Sequence, residues 1–114
     1  MKFDIVGLRL PEQCKVLLNG DPLPLHLSLV NHSPTGFEWG YGGSGPAQLA
    51  FCVLYEWYMA NREKDAELKA RKYYQAFKWR FVANISKNTH AWNWNYSDLE
   101  RMVSGIENDK RVAM

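Results

Sequence analysis

One segment governs what the rest of the chain can do. From Ala47 to Ala60 the sequence runs AQLAFCVLYEWYMA, apolar almost all round with Glu56 as its one charge. A helix of that composition has no face for water, so it must be enclosed. In a chain of 114 residues it is the centre around which everything else is laid. Pro46 suits the first helical position, where a missing N–H lacks an intrahelical partner anyway. That reading makes Gly45 the N-cap and sets Gln48 three residues on, to reach back to a free backbone donor. Glu56 must be paired or protonated if it is enclosed; otherwise it surfaces at an edge or meets an arginine.

What precedes this helix reads as sheet. Phe3–Leu10 alternates apolar and polar positions, Pro11-Glu12-Gln13 interrupts it, and Cys14–Leu18 is a second β-rich run. Asn19-Gly20-Asp21-Pro22 supplies turn chemistry. Leu23, Leu25, Leu27 and Leu29 alternate again and predict a third strand, with Pro24 confining that end to an edge. Beyond the central helix, Asn61 marks a boundary and Arg62–Ile85 predicts a longer helix. Its apolar stripe runs through Ala66, Ala70, Tyr73, Tyr74, Phe77, Phe81 and Ile85, with seven basic residues outside it. Ala91–Asn95 predicts a short strand with both indoles on one face. Ser97, with Glu100 completing a capping box, predicts the start of a last helix, and Asn108 onward a frayed polar tail. The expected fold is α+β, one small globular domain over residues 1–114. An N-terminal antiparallel meander of about three strands packs on the central helix, followed by a long basic-aromatic helix, a short strand and a C-terminal helix.

Composition narrows the function classes. Fourteen Lys and Arg against twelve Asp and Glu leave a formal charge of +2, too small to imply a nucleic-acid partner by itself. Cys14 and Cys52 are the only cysteines and read as reduced thiols of a cytosolic protein. The N-terminus lacks the pattern of a secretory leader, and no run approaches a membrane span, so a cytoplasmic protein with no membrane partner is expected. Five Trp in so short a chain are more than a core of this size needs.

The stretch GFEWGYGGSGPAQLA, residues 36–50, places five glycines within ten positions. Gly40, Gly42 and Gly45 satisfy G-x-G-x-x-G, and backbone N–H groups before a helix can hold an anion. The dinucleotide fingerprint also needs an acidic residue about twenty positions on, at a strand end. Asp65 falls there but within the second helix, and no Lys-Ser/Thr follows the glycines. The plainer reading is a structural corner of Gly40, Gly42, Gly43 and Gly45 against which aromatic rings press, with Gly42 or Gly43 at positive φ. His26, His32 and His90 are scattered, with no metal spacing and no assembled catalytic set. No cofactor, no metal and no enzymatic activity are expected. The remaining functional surface is the basic helix with its aromatic neighbours. Arg71, Lys78, Arg80, Trp92 and Trp94 are the candidate contacts, with Tyr41 at the loop tip, and Trp79 is a further ring able to stack on bases or anchor a protein.

Residues 36–50, together with the Asn19-Gly20 turn, Pro22-Leu23 and the W-x-W strand, resemble the layout of a family of small uncharacterised proteins from bacteria and their phages. The resemblance brings no activity and no catalytic residues, but it implies a phage or mobile-element setting. From it follows the expectation of a non-catalytic inhibitor that docks on a host protein or ribonucleoprotein, such as a CRISPR defence complex. The alternative is a small nucleic-acid-binding module using the basic helix and the Trp residues. The oligomeric state is left open.

Overall fold

A computed structural model describes residues 1–112 of the chain. It shows a mixed α+β fold. Strands β1 (Ile5–Arg9), β2 (Cys14–Leu18) and β3 (Asp21–Pro22) are followed by helix α1 (Ser44–Ala60) and helix α2 (Ala66–Phe77). A π-helical turn (Lys78–Val82), strand β4 (Ala91–Trp94) and helix α3 (Tyr96–Glu107) complete it. The four strands form one antiparallel sheet in the order β3-β2-β1-β4. The last strand therefore returns to the first, pairing Gly7 with Trp92 and Ile5 with Trp94. Among the described residues no helix is long and apolar enough to cross a membrane.

The apolar run is buried as its composition requires. In α1 every residue from Gly45 to Leu54 is buried, as are Trp57 and Tyr58. Tyr58 donates a 2.8 Å hydrogen bond to Glu107, which joins α1 to α3; burial, the first cause, and that carboxylate push the phenol far above its usual range. Trp39 is fully enclosed, edge-on to Trp92 at 5.3 Å, with the Arg9 guanidinium 4.9 Å from its ring centre. Burying a ring of about 200 Å² is worth about 5 kcal/mol as an upper bound. The unpartnered indole N–H of Trp39 offsets about 1–3 kcal/mol of that.

The structure corrects several expectations. The third strand is only Asp21–Pro22, and Leu23–Leu29 forms no ladder beyond a single bond from Leu23 N–H to the Val16 carbonyl. His26 sits at φ +50°, which breaks any extended run. What holds this segment is a side chain. Gln48, fully buried, accepts from His32 N–H at 2.7 Å and Ser33 N–H at 3.2 Å, and donates to the carbonyls of Leu25 at 2.6 Å and Val30 at 2.8 Å. One amide thus serves a loop rather than its own helix end. One turn on, the Cys52 thiol donates to the Leu25 carbonyl at 3.1 Å. One turn further, Glu56 meets His26 at 2.7 Å, so its partner is a histidine and not an arginine.

Helix boundaries also shift. The N-cap of α1 is Gly43, not Gly45; Pro46 is the third helical residue, still in the first turn, where its absent N–H again needs no partner. The second helix begins at Ala66, after Asn61 has capped α1 and Arg62 has turned the chain at φ +59°. The last helix is capped by Asn95, not Ser97, and Asp98, not Glu100, closes the capping box. Strand β4 ends at Trp94, so Asn95 is the first residue free to cap. The expected frayed tail is tied down to Val112 by contacts of Asp109; its last two positions, 113 and 114, lie outside the described residues.

Candidate functional site

The basic-aromatic helix does not run straight. At Lys78–Val82 it widens into a π-turn, with Ala83 N–H bonding the Lys78 carbonyl at 2.8 Å. Widening frees carbonyls one turn earlier, and the Asn84 amide takes them up, donating to Arg80 O at 2.7 Å and Trp79 O at 3.4 Å. Such turns recur at functional sites because they redirect the side chains that follow.

The glycine loop lies along this turn. Gly40 N–H bonds the Val82 carbonyl at 3.1 Å, and Gly40 itself has φ +87°, pressed against the backbone of Ile85 and Lys87. Gly42 and Gly43 do not take positive φ, which corrects that expectation; they are needed for room instead. A Cβ on Gly42 would overlap the Trp79 ring, and one on Gly43 the edge of the Tyr41 ring. Lys78 is buried, donates to the Gly42 carbonyl at 3.3 Å and holds its ammonium 4.4 Å from the Trp79 ring centre. Lys87 covers Tyr41 at 5.3 Å. The result is a bare-backbone plate carrying two rings, each beside an ammonium. Trp79 remains 60% exposed and Tyr41 41%.

On the far side of Trp79, Arg80 bonds Asp109 at 2.5 Å, and Arg111 bonds the same carboxylate oxygen at 3.0 Å. Hydrogen bonds from Arg111 first, then Arg80, hold the Asp109 carboxyl well below the usual carboxylate range. These residues, with Val112, line an open depression of about 440 Å³ next to the indole.

Lys78 and Arg80 therefore flank Trp79, and Tyr41 lies on the same glycine loop, while the other three predicted contacts do neither. Arg71 is spent within the fold, on the Leu29 carbonyl at 2.6 Å and Glu67 at 2.9 Å. Trp92 and Trp94 are half-buried and pack on the core, edge-on to Trp39 at 5.3 Å and Phe77 at 5.8 Å. Lys87 belongs to the site but gave no sequence signal, being one basic residue in a polar loop. Trp79 did give one: two positions from Phe77, it falls off the apolar stripe.

The remaining reactive groups are held quiet. Burial, with Glu38 beside it, pushes the Cys14 thiol up to about 11, and burial pushes Cys52 up to about 12. Both cysteines are free. Among the described residues no group of three or more His, Cys, Asp and Glu is arranged to hold a metal ion.

The chain belongs to the family of unknown function DUF6166, whose model matches residues 5–105. No curated protein and no solved structure matches the chain.

Proposed function

We propose that this member of the family is a non-catalytic docking protein, encoded by a phage or other mobile element, that acts in the host cytoplasm to block a defence complex such as a CRISPR effector. The observation that carries the docking part is Trp79: a large ring left 60% exposed against the bare backbone of Gly42, with an ammonium already at its face. Trp, Tyr and Arg are the residue types that anchor protein interfaces, and a ring fixed before contact loses little entropy on docking. Around it stand Lys78, Arg80 and Arg111, with Asp109 as the carboxylate among them, and Lys87 covers Tyr41 on the same loop. The partner surface that fits is an acidic one with a pocket for an indole. The phage setting rests on the resemblance of residues 36–50, not on this geometry.

The test is capture from a nuclease-treated host lysate with the tagged chain and its Trp79→Ala variant, followed by plating phage on an immune host. One stoichiometric partner that disappears with W79A, by a loss of about thirtyfold in affinity or more, supports the reading. Unchanged immunity when the intact chain is expressed refutes the defence part.

The same pairing of rings and ammonium groups supports a second reading, binding of single-stranded nucleic acid by base stacking. There, nuclease removes the companions and affinity falls steeply with salt.

A further inference from the structure

We propose that the cleft between the π-turn, β4 and α3 binds a small anion carried on a flat apolar body, of the chemical class of a nucleoside monophosphate. The cleft measures about 380 Å³, the size range in which small-ligand sites begin. Three separate elements build it. Arg80 and Asn84 come from the π-turn and the residues just after it, Trp94 from β4, and Asp98 and Arg101 from α3. Its apolar wall combines Trp94 with Phe81.

The charge balance of the cleft favours an anion. Asp98 is the one carboxylate lining it, and both of its oxygens are engaged: one accepts from Arg101 at 3.2 Å, the other from the Asn95 N–H at 2.9 Å. Each guanidinium carries five N–H donors in a planar fork. Among the described residues Arg80 directs one of them to Asp109 and Arg101 one to Asp98, which leaves donors on two sides of the cleft. A phosphate is the group that takes such forks, and a purine or pyrimidine ring is the flat body that the Phe81–Trp94 wall accepts. Arg101 has a side chain 73% exposed, so it serves as a movable rim, whereas Arg80 is held by Asp109. The cleft shares Arg80 with the Trp79 docking face, but its second guanidinium, Arg101, and its Phe81–Trp94 wall lie outside that face, so the inference does not rest on docking there.

The experiment is a titration of the ¹⁵N-labelled chain with adenosine 5′-monophosphate, adenosine and inorganic phosphate, followed by NMR. With the nucleotide, the Trp94 indole signal and the amides of residues 80–85 and 98–102 should shift together and saturate. Adenosine and inorganic phosphate should each bind at least about tenfold more weakly. Arg101→Gln, a change at an exposed position, should weaken nucleotide binding about three- to tenfold with the rest of the spectrum unmoved, and Arg80→Gln more. Arg71→Gln, remote from the cleft, should change nothing. The proposal is overturned if no saturable shift appears by about 10 mM, if shifts centre on Tyr41 and Trp79 instead, or if adenosine binds as well as its monophosphate. Insensitivity to Arg101→Gln overturns it equally.

Discussion

Replacing Gln48 by leucine tests whether one buried amide holds the long segment between β3 and α1. The side chain fits the space approximately, but four backbone groups lose their partner: the N–H groups of His32 and Ser33 and the carbonyls of Leu25 and Val30. They are not equivalent. The bonds to Ser33 and Val30 are buried, while those to His32 and Leu25 are only part-buried, and Leu25 keeps the Cys52 thiol. Two buried unsatisfied groups at about 1–3 kcal/mol each give about 2–6 kcal/mol. The added apolar side chain returns about 1–2 kcal/mol. A net loss of about 1–4 kcal/mol follows, a large share of the stability of a domain this size. Urea denaturation should show it as a midpoint lowered by about 0.5–2 M. Hydrogen exchange should show the His32 and Ser33 amides opening ahead of the α1 core. Gln48→Glu sharpens the test. It keeps the acceptor for both N–H groups but turns an oxygen on two carbonyls, so it should be at least as damaging at pH 7. Its deficit relative to the parent should shrink towards pH 5, where a protonated carboxyl can again donate. A loss below about 1 kcal/mol for Gln48→Leu, with both loop amides still protected, refutes the reasoning.

Four further outcomes follow. Gly7→Ala should cost about 2–4 kcal/mol, read by thermal melting, because its Cβ would meet the Trp92 ring, which Trp39 backs. Gly42→Ala should cost far less, since the new Cβ displaces an exposed ring towards solvent and not a core ring, and by unseating Trp79 it should weaken partner capture as Trp79→Ala does. At pH 8 the folded chain should react with a disulfide reagent at least about a hundredfold more slowly than the urea-unfolded chain, because thiol pKa values of about 11 and 12 leave about one Cys14 in a thousand ionised and fewer still at Cys52. Asp109→Asn should free the C-terminal turn to proteolysis. Since the folded-state pKa of Asp109 is depressed, its contribution is complete above the unfolded value of about 4 and is lost as the pH falls below it. The parent and D109N melting curves should therefore converge in acid.

Much of the architecture was legible because local pattern and tertiary demand coincide. The apolar run of α1, the alternation in β1, the β-rich run of β2 and the stripe of α2 each have one arrangement that hides them. The third strand was misread because alternation is necessary for a half-buried strand but not sufficient. Leu23 is buried, and then His26 turns left-handed and the segment follows Gln48 instead of a neighbouring strand. A side chain on a distant helix supplied its hydrogen bonds, and no local window holds that information. The α3 start was misplaced for a simpler reason. Asn95/Asp98 and Ser97/Glu100 both satisfy the capping spacing, and the end of β4 chose between them. The π-turn was missed because it moves the buried position from Phe81 to Val82, five residues after Phe77, a shift that a stripe at three- and four-residue spacing does not anticipate.

The tryptophans show how a pattern can be read correctly and used wrongly. An alternating Ala91–Asn95 with both indoles on one face already states that this face is covered, since a strand has only one other side for water. Trp92 and Trp94 follow that logic and close the core over Trp39 and Phe77. The ring left over is the one that breaks its helix's stripe, Trp79. The glycines carry the matching half of the message. Gly7 is bare where Trp92 crosses it and Gly42 is bare where Trp79 lies, so each marks the seat of a ring rather than a positive φ. Inside the sheet such a seat locks a core. At the loop it fixes an exposed ring in advance of any partner, which is the condition under which one indole can dominate an interface.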